Sequence, residues 1–311
     1  MGVNGKLDLI CFPGAPNLPL FAGLEFGFFA DAGIDVRLET TPSSTYQIKS
    51  LAQGIFQIAG TAFDNVVAYQ EGQGAVQFHE PTDFFAFMGA TRIELSLVVA
   101  PEIKTYGDLR GRSIALDALA TGFAFVLYDM LEKAGFGRGD CELATVGATP
   151  KRWESVKSGE HAGTLTIEPF TSIALENGFH VLQTSLETVP SYQGGVFTAS
   201  RAWAVENSDS LISFIRGYLA GLEWVLTPDN YAAAKGLLLE NMPAIKPWVA
   251  DAVMIKLLDP TTGLTPRGEL DSSGVKTVLR LRSRYARPSK DLLDPAPYLD
   301  SSYFQRVRGL D

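Results

Sequence analysis

The sequence predicts an α/β protein built on mainly parallel sheets, followed by a helical C-terminal third. Three observations carry that expectation. Over the first 90 residues, short apolar runs alternate with stretches of helical period, the pattern of right-handed strand–helix–strand crossovers. A second series of the same kind begins near Ser113. From Ser208 onward the apolar residues recur almost only at helical spacing.

Leu7-Asp8-Leu9-Ile10-Cys11-Phe12 is an apolar run stopped by Pro13-Gly14 and reads as a buried strand. Leu18 to Ala32 has helical spacing and ends at Gly33, a C-terminal glycine. Ile34 to Leu38 is the next strand, and Ser43-Ser44-Thr45 caps a helix running to about Gln53. Phe56 to Ala59 is a third strand, with a helix from about Asp64 to Glu71 behind it. Phe84 to Met88 and Leu95 to Ala100 are two further apolar runs. In the second series, Ser113 to Leu116 leads through Asp117-Ala118-Leu119-Ala120-Thr121-Gly122 into a helix ending near Gly135. A strand at Leu143 to Val146, a helix from Pro150 to Ser158 and a strand at Gly163 to Ile167 follow, and Gly194 to Ala199 reads as a returning strand. Leu211, Ile215, Tyr218, Leu222 and Val225 form one apolar stripe of a long helix. Further helices are expected around 231–240, 247–257 and 274–285. Neither a repeat nor a low-complexity linker separates the two series, so they read as lobes joined by crossing strands.

Composition narrows the function. The chain has 311 residues, 46% hydrophobic and 20% charged, enough for a large core or two smaller ones. Its 26 basic and 35 acidic side chains give a formal charge of -9, which phosphate backbones repel, so nucleic acid is not an expected partner. Cys11 and Cys141 stand far apart in sequence and read as isolated thiols, although one disulfide is arithmetically open. No stretch reaches the ~20 apolar residues of a membrane-spanning helix. Met1 to Lys6 lacks the apolar region and small-residue cleavage site of a secretory leader. The expectation is a cytoplasmic protein, or a periplasmic one from which a leader has been cut away.

In open parallel sheets, ligands bind beyond the carboxyl ends of the strands. That rule selects Pro13–Leu20, Thr41–Gln47, Gly60–Asn65, Gly89–Arg92, Asp117–Phe123 and Glu168–Phe170. Most of these turns lead into helix N-termini, whose unsatisfied N–H groups attract acceptors. The candidate ligand contacts are Asn17, Ser44, Tyr46, Thr61, Phe63, Asp64, Asn65, Arg92, Asp117, Thr121, Phe123 and Glu168. Tyr46, Phe63 and Phe123 offer stacking faces, against a competing reading as core filling. Asp64, Asn65 and Glu168 offer acceptors, with N-capping the competing reading for Asp64. Arg92 offers a cation, unless it pairs with Glu94. The hydroxyls of Ser44, Thr61 and Thr121 serve equally well as caps. No nucleophile elbow, Walker loop or dinucleotide fingerprint occurs, and His79, His161 and His180 lack metal-ligand spacing. No cofactor, metal or catalytic residue is expected.

Several segments resemble solute-binding proteins of ABC importers in the nitrate, sulfonate, taurine and thiamine-pyrimidine-precursor group. Asn17-Leu18-Pro19-Leu20-Phe21-Ala22-Gly23-Leu24-Glu25-Phe26-Gly27-Phe28-Phe29-Ala30-Asp31-Ala32-Gly33-Ile34-Asp35-Val36 is similar to the family's opening. Gln47 to Gly54 and Phe56 to Gly60 are similar to its next helix and third strand. Ile103 to Ala115 resembles the start of its second lobe, and Glu168-Pro169 its acidic-proline turn. The likeness covers about residues 6–200. It implies a two-lobed, type II periplasmic-binding-protein-like fold. Residues 1–92 and 198–311 would form lobe one and 93–197 lobe two, with hinges near 89–92 and 194–199. It further implies a monomer that captures a small polar or heteroaromatic molecule and, if periplasmic, meets an importer's membrane permease. The alternative is a cytoplasmic enzyme on the same scaffold, decarboxylase-like or related to pyrimidine-precursor synthesis; a ligand sensor is a third reading. The pyrimidine synthases of this superfamily need a lysine and a histidine after the third strand and a cysteine-rich motif, whereas this chain has Gly60-Thr61-Ala62-Phe63-Asp64-Asn65 and no cysteine cluster. Ligand class stays open. Ser43, Ser44, Thr45, Thr121 and Arg92 suit sulfonate or nitrate, whereas Asp64 and Glu168 suit a ligand bearing amino groups, the reading preferred from sequence.

Overall fold

A computed structural model describes residues 5–309. The chain forms two five-stranded mixed sheets flanked by helices. The first sheet has the order β2-β1-β3-β10-β4, from β1 (Lys6–Cys11), β2 (Asp35–Thr40), β3 (Ile58–Ala62), β4 (Phe84–Arg92) and β10 (Gln193–Ser200). The second has the order β7-β6-β8-β5-β9, from β5 (Ser96–Val99), β6 (Ser113–Leu116), β7 (Glu142–Thr145), β8 (Gly163–Thr166) and β9 (His180–Thr184). In the first sheet β10 runs antiparallel to both β3 and β4, and the other strands share one direction. In the second, β5 is the antiparallel strand, between β8 and β9. The strands are therefore mainly parallel, each sheet holding one reversed strand next to a chain crossing. The crossings lie side by side: β4 ends at Arg92, whose partner is Gln193, the first residue of β10.

Helices α1 (Leu18–Glu25) and α2 (Phe28–Asp31) follow β1. The expected single helix from Leu18 to Ala32 is broken at Gly27, where φ is 73° and only glycine is unstrained. Next come α3 (Ser44–Ala52), capped by the Ser43 hydroxyl, and α4 (Phe63–Gln70). The second sheet carries α5 (Gly122–Lys133), α6 (Thr149–Lys157) and α7 (Phe170–Glu176). After β10 the chain adds α8 (Arg201–Glu206), α9 (Ser208–Leu226), α10 (Tyr231–Asn241), α11 (Ala250–Leu258), α12 (Ser272–Tyr285) and α13 (Ser302–Arg308). The α9 stripe expected from the sequence faces inward: Leu211, Ile215, Tyr218, Leu222 and Val225 are all buried, against α1, α2 and the first sheet. Burying each contributes on the order of 1.5–3 kcal/mol, which fixes the helical tail to the first sheet.

Two hydrophobic cores result. One surrounds α1, α2, α9 and the outer face of the first sheet. The other runs without a break from Phe63 and Val67 on α4, through Val278 and Leu281 on α12, to Phe125 and Leu127 on α5. α12 thus packs against helices of both sheets. Cys11 and Cys141 are both buried and free, so the arithmetically open disulfide is not formed. Among the described residues no helix is long and apolar enough to cross a membrane.

Candidate functional site

The strand-end turns of the two sheets line a cavity of about 120 Å³. The first sheet contributes Phe12 and Asn17 after β1, Thr61 and Asn65 around the end of β3, and Thr91 at the end of β4. The second contributes Asp117 after β6, Thr121 to Phe123 at the start of α5, Thr149 and Arg152 on α6, and Ile167 after β8. Facing helix starts from two sheets meet here because every parallel strand delivers its following turn to the same edge.

Polar contacts across the cleft hold the turns together. Ser44 N–H donates to the Asp117 carboxylate at 3.2 Å, Ala15 N–H to Glu168 O at 3.3 Å and Ala148 N–H to Pro42 O at 3.2 Å. Gly122 N–H donates to Asp64 Oδ2 at 2.6 Å. Behind that bond, Arg282 on α12 sends Nε to Asp64 Oδ1 at 3.0 Å and Nη2 to Ala120 O at 2.8 Å. Asp64 and Arg282 are 1% and 0% exposed, a dry ion pair joining α4, α12 and the turn before α5. Burial pushes the Asp64 carboxyl up, while Arg282 and the Gly122 N–H pull it back. A Cβ on Gly122 would lie 2.2 Å from Tyr192 Oη and 2.5 Å from Asp64 Cγ, so this close approach requires glycine.

Of the residues expected at the site, Asn17, Thr61, Asn65, Asp117, Thr121 and Phe123 line the cavity. Asn17 Nδ2 donates to Phe12 O at 2.8 Å and Asn65 Nδ2 to Thr61 Oγ1 at 2.8 Å, which leaves both side-chain carbonyls for a ligand. The Thr121 hydroxyl caps α5 by accepting from Ala124 N–H, so its capping and lining roles coincide.

The other six lie elsewhere. Phe63 is fully buried against Tyr298, because it begins α4 facing the core. Asp64 turns away from the cavity to Arg282 and Gly122. Ser44 is buried beside the cleft, outside the cavity lining, with its backbone N–H on Asp117. Tyr46 is 46% exposed on the outer side of α3 and offers no stacking face to the cavity. Arg92 points to Asp271 at 3.9 Å, not to Glu94, which pairs instead with Lys256 at 2.9 Å.

Glu168 lines a second cavity of about 400 Å³ with Arg92, Glu94, Ser172 and Lys256, adjoining the first along Pro16, Thr91, Ile93 and Ile167. Burial pushes its carboxyl up to about 7 despite the Ser172 hydrogen bonds.

Sequence reasoning missed Arg152. It is 3% exposed, lines the cavity, and donates Nε to Gly147 O at 2.9 Å, Nη1 to Thr164 Oγ1 at 2.8 Å and to Leu165 O, and Nη2 to Thr149 Oγ1 at 2.8 Å. The available signal was its place one helical turn after the strand-end Gly147-Ala148-Thr149, a turn absent from the segments selected by the strand-end rule. Among the described residues no group of three or more His, Cys, Asp or Glu is placed to hold a metal ion.

Two α/β halves joined by adjacent crossings, with facing strand-end turns around a cavity, define the periplasmic-binding-protein fold, and comparison with solved structures agrees. A protein from Bordetella bronchiseptica RB50 matches with a TM-score of 0.82 at 20% identity, over 98% of this chain and 97% of that one. The periplasmic nitrate-binding protein of Synechocystis PCC 6803 matches with a TM-score of 0.78 at 12% identity, over 98% and 88%. The alkanesulfonate-binding protein of Xanthomonas axonopodis pv. citri, bound to MOPS, matches with a TM-score of 0.74 at 15% identity, over 95% and 98%. No curated relative matches the sequence. The model of the NMT1/THI5-like family matches residues 16–231, and the chain belongs to that family.

Proposed function

We propose that this protein is a solute-binding component of an ABC importer, capturing a small organic molecule between its two halves. The observation that carries the reading is the cavity bounded by helix-starting turns of both sheets, with hydrogen bonds running directly between those turns. A site divided between two bodies couples occupancy to closure, because only the closed form offers both sets of contacts. Asn17, Thr61, Asn65, Asp117, Thr121 and Phe123 are the ligand contacts we assign. The hinges are assigned to 89–92 and 194–199, supported by the side-by-side crossings at Arg92 and Gln193. In this reading the protein works outside the cytoplasmic membrane, as a monomer that hands its solute to a permease. The named functions of the nitrate- and alkanesulfonate-binding proteins of the same fold support it.

The enzyme alternative has weaker support. Burial pushes the one thiol in the cavity, Cys11, up to about 12, far from a reactive thiolate, and none of His79, His161 and His180 lines the cavity. The test is a thermal-shift panel of sulfonates, carboxylates, pyrimidines and amines. A ligand at about one hundred times its Kd adds ~2.7 kcal/mol to stability. A stabilising compound recovered unchanged after incubation supports binding without turnover. Silence across the whole panel removes the solute reading, and conversion of the compound replaces it with an enzyme.

A further inference from the structure

The cavity that Glu168 lines is walled by both halves of the chain. The turn of Glu168 and α7 supply Ile167, Ser172 and Leu175 from the second sheet's side. The facing wall is Pro16, after β1, with Ile255 and Lys256 of α11, a helix that packs against α10 and the 15–17 turn. Two hydrogen bonds tie the halves together around this cavity. Ala15 N–H donates to Glu168 O at 3.3 Å, and at the far end of α7 Trp248 Nε1 donates to Glu176 Oε1 at 2.6 Å. The water that the Glu168 carboxyl lacks is therefore displaced in part by residues of the opposite half, and separating the halves returns it.

The charges around this carboxyl do not make up for the lost water. On its own helix it accepts from Ser172, whose N–H lies at 3.4 Å. Lys256 faces it from α11 and favours the charged form, but Lys256 is itself held by Glu94 at 2.9 Å, and Glu94 repels a second carboxylate. Asp259, just past α11, also draws on Lys256. Arg92 lines the same cavity with its Nε directed to Asp271 at 3.9 Å. Burial outweighs Lys256 and Ser172 together, which leaves the carboxyl at about 7 in this closed arrangement.

We propose that closing the cleft takes up a proton at Glu168, so that acid favours the closed form and the cleft opens as pH rises through neutrality. The inference rests on the solute-binding reading, which supplies the closing motion, and adds a control on it. The proton comes from solvent and goes to the Glu168 carboxylate; no other bond is made or broken. The direction follows from the two environments. Raised to about 7 when closed and near 4.5 when water returns, the carboxyl is protonated between those values only in the closed form. From pH 8 to pH 5 the closed-to-open ratio then rises by up to about 70-fold, the limit for a fully solvated open form. By the same linkage a solute captured between the halves is held more tightly on the acid side.

The test needs no solute. Nitroxide labels at Gln53→Cys, just past α3, and Lys157→Cys, at the end of α6, sit on exposed positions of the two halves, and both native cysteines are buried. Electron–electron distance measurements on the whole protein between pH 5 and 8 give the closed-to-open ratio. That ratio is expected to rise about tenfold or more on acidification. In Glu168→Gln, which mimics the protonated form, it is expected to stay within about twofold across the range, near the acid value. Lys256→Met removes the cation that favours the charged carboxylate from a half-exposed site, so the midpoint of the response is expected to move to higher pH. A pH response that persists unchanged in Glu168→Gln belongs to another group and overturns the proposal. A midpoint that stays or falls in Lys256→Met overturns it as well. Two distances whose ratio ignores pH overturn the proton link and leave the solute reading standing. A single distance at every pH also overturns the link, and the solute reading falls only if the thermal-shift panel is silent too.

Discussion

Breaking the ion pair behind the cleft is the perturbation whose size follows most directly from the geometry. Asp64 and Arg282 are 1% and 0% exposed, so solvent screens neither. Asp64 accepts from Arg282 Nε and from Gly122 N–H; Arg282 also donates to Ala120 O and stacks its guanidinium 5.1 Å from the Phe125 ring centre. Arg282→Met leaves a buried carboxylate with only the Gly122 N–H. Asp64→Asn keeps one amide oxygen as an acceptor for Arg282 Nε but removes the negative charge, leaving the buried guanidinium uncompensated. Removing one partner of such a pair costs about 3–5 kcal/mol, mostly the penalty of the stranded charge. The double variant strands neither charge, so it is expected to lose less than the two singles combined, by roughly 2–4 kcal/mol. Urea denaturation of the four proteins measures this, with m-values compared to exclude a change in the unfolded state. Losses that add to within about 0.5 kcal/mol would refute the claim that the two groups stabilise each other across α4 and α12. An independent mark separates lost charge pairing from lost packing. In Arg282→Met, Asp64 keeps the burial that raises its carboxyl and loses the cation that lowers it. That variant is therefore expected to regain stability on mild acidification, whereas Asp64→Asn is not.

Two further outcomes follow. Glu168 has its folded-state value raised to about 7 from 4.5, so its contribution is fully present below about pH 4.5 and is lost as pH rises through 7. The loss is on the order of 3 kcal/mol, and Glu168→Gln should flatten the stability–pH curve between pH 5 and 8; an unchanged slope would exclude Glu168 as its source. Gly122→Ala should destabilise by about 1–3 kcal/mol, because the new methyl must displace Tyr192 or Asp64 and with it the 2.6 Å bond that ties the α5 start to α4. Equal or higher stability in urea would mean that the cleft contacts relax freely and that this approach is not tight.

The elements were legible in the sequence wherever one period dominated. Ser113–Leu116 matches β6 residue for residue, and the α9 stripe is buried at every expected position, since a strand end or a helical face is decided by neighbours within a few residues. Where two signals competed, the local one won. Apolar spacing ran on from Leu18 to Ala32, but Gly27 takes a left-handed conformation and splits that stretch in two. α7, α8, β9 and α13 went unread; β9 has no fully buried residue, so it offers little apolar run to read.

The site divides along a different line, between what a turn's position fixes and what its side chains choose. Strand ends and helix starts are set by chain direction, which is why Asn17, Thr61, Asn65, Asp117, Thr121 and Phe123 all reach the cavity from turns selected in the sequence. Whether a side chain in such a turn faces the cavity or the core depends on what lies opposite. Phe63 and Asp64 begin the same helix, and what draws Asp64 inward is Arg282, more than 200 residues further on. Arg152 shows the converse. Its helix starts from a turn that the strand-end rule did not select, and its guanidinium is held at the cavity wall by Thr149, Thr164 and two backbone carbonyls, with the Asp117 carboxylate on the same wall. A residue's charge is legible in sequence. Whether that charge meets a counter-charge, a cavity or the core is a property of the folded surroundings, as Asp64 against Arg282 and Arg152 beside Asp117 both show.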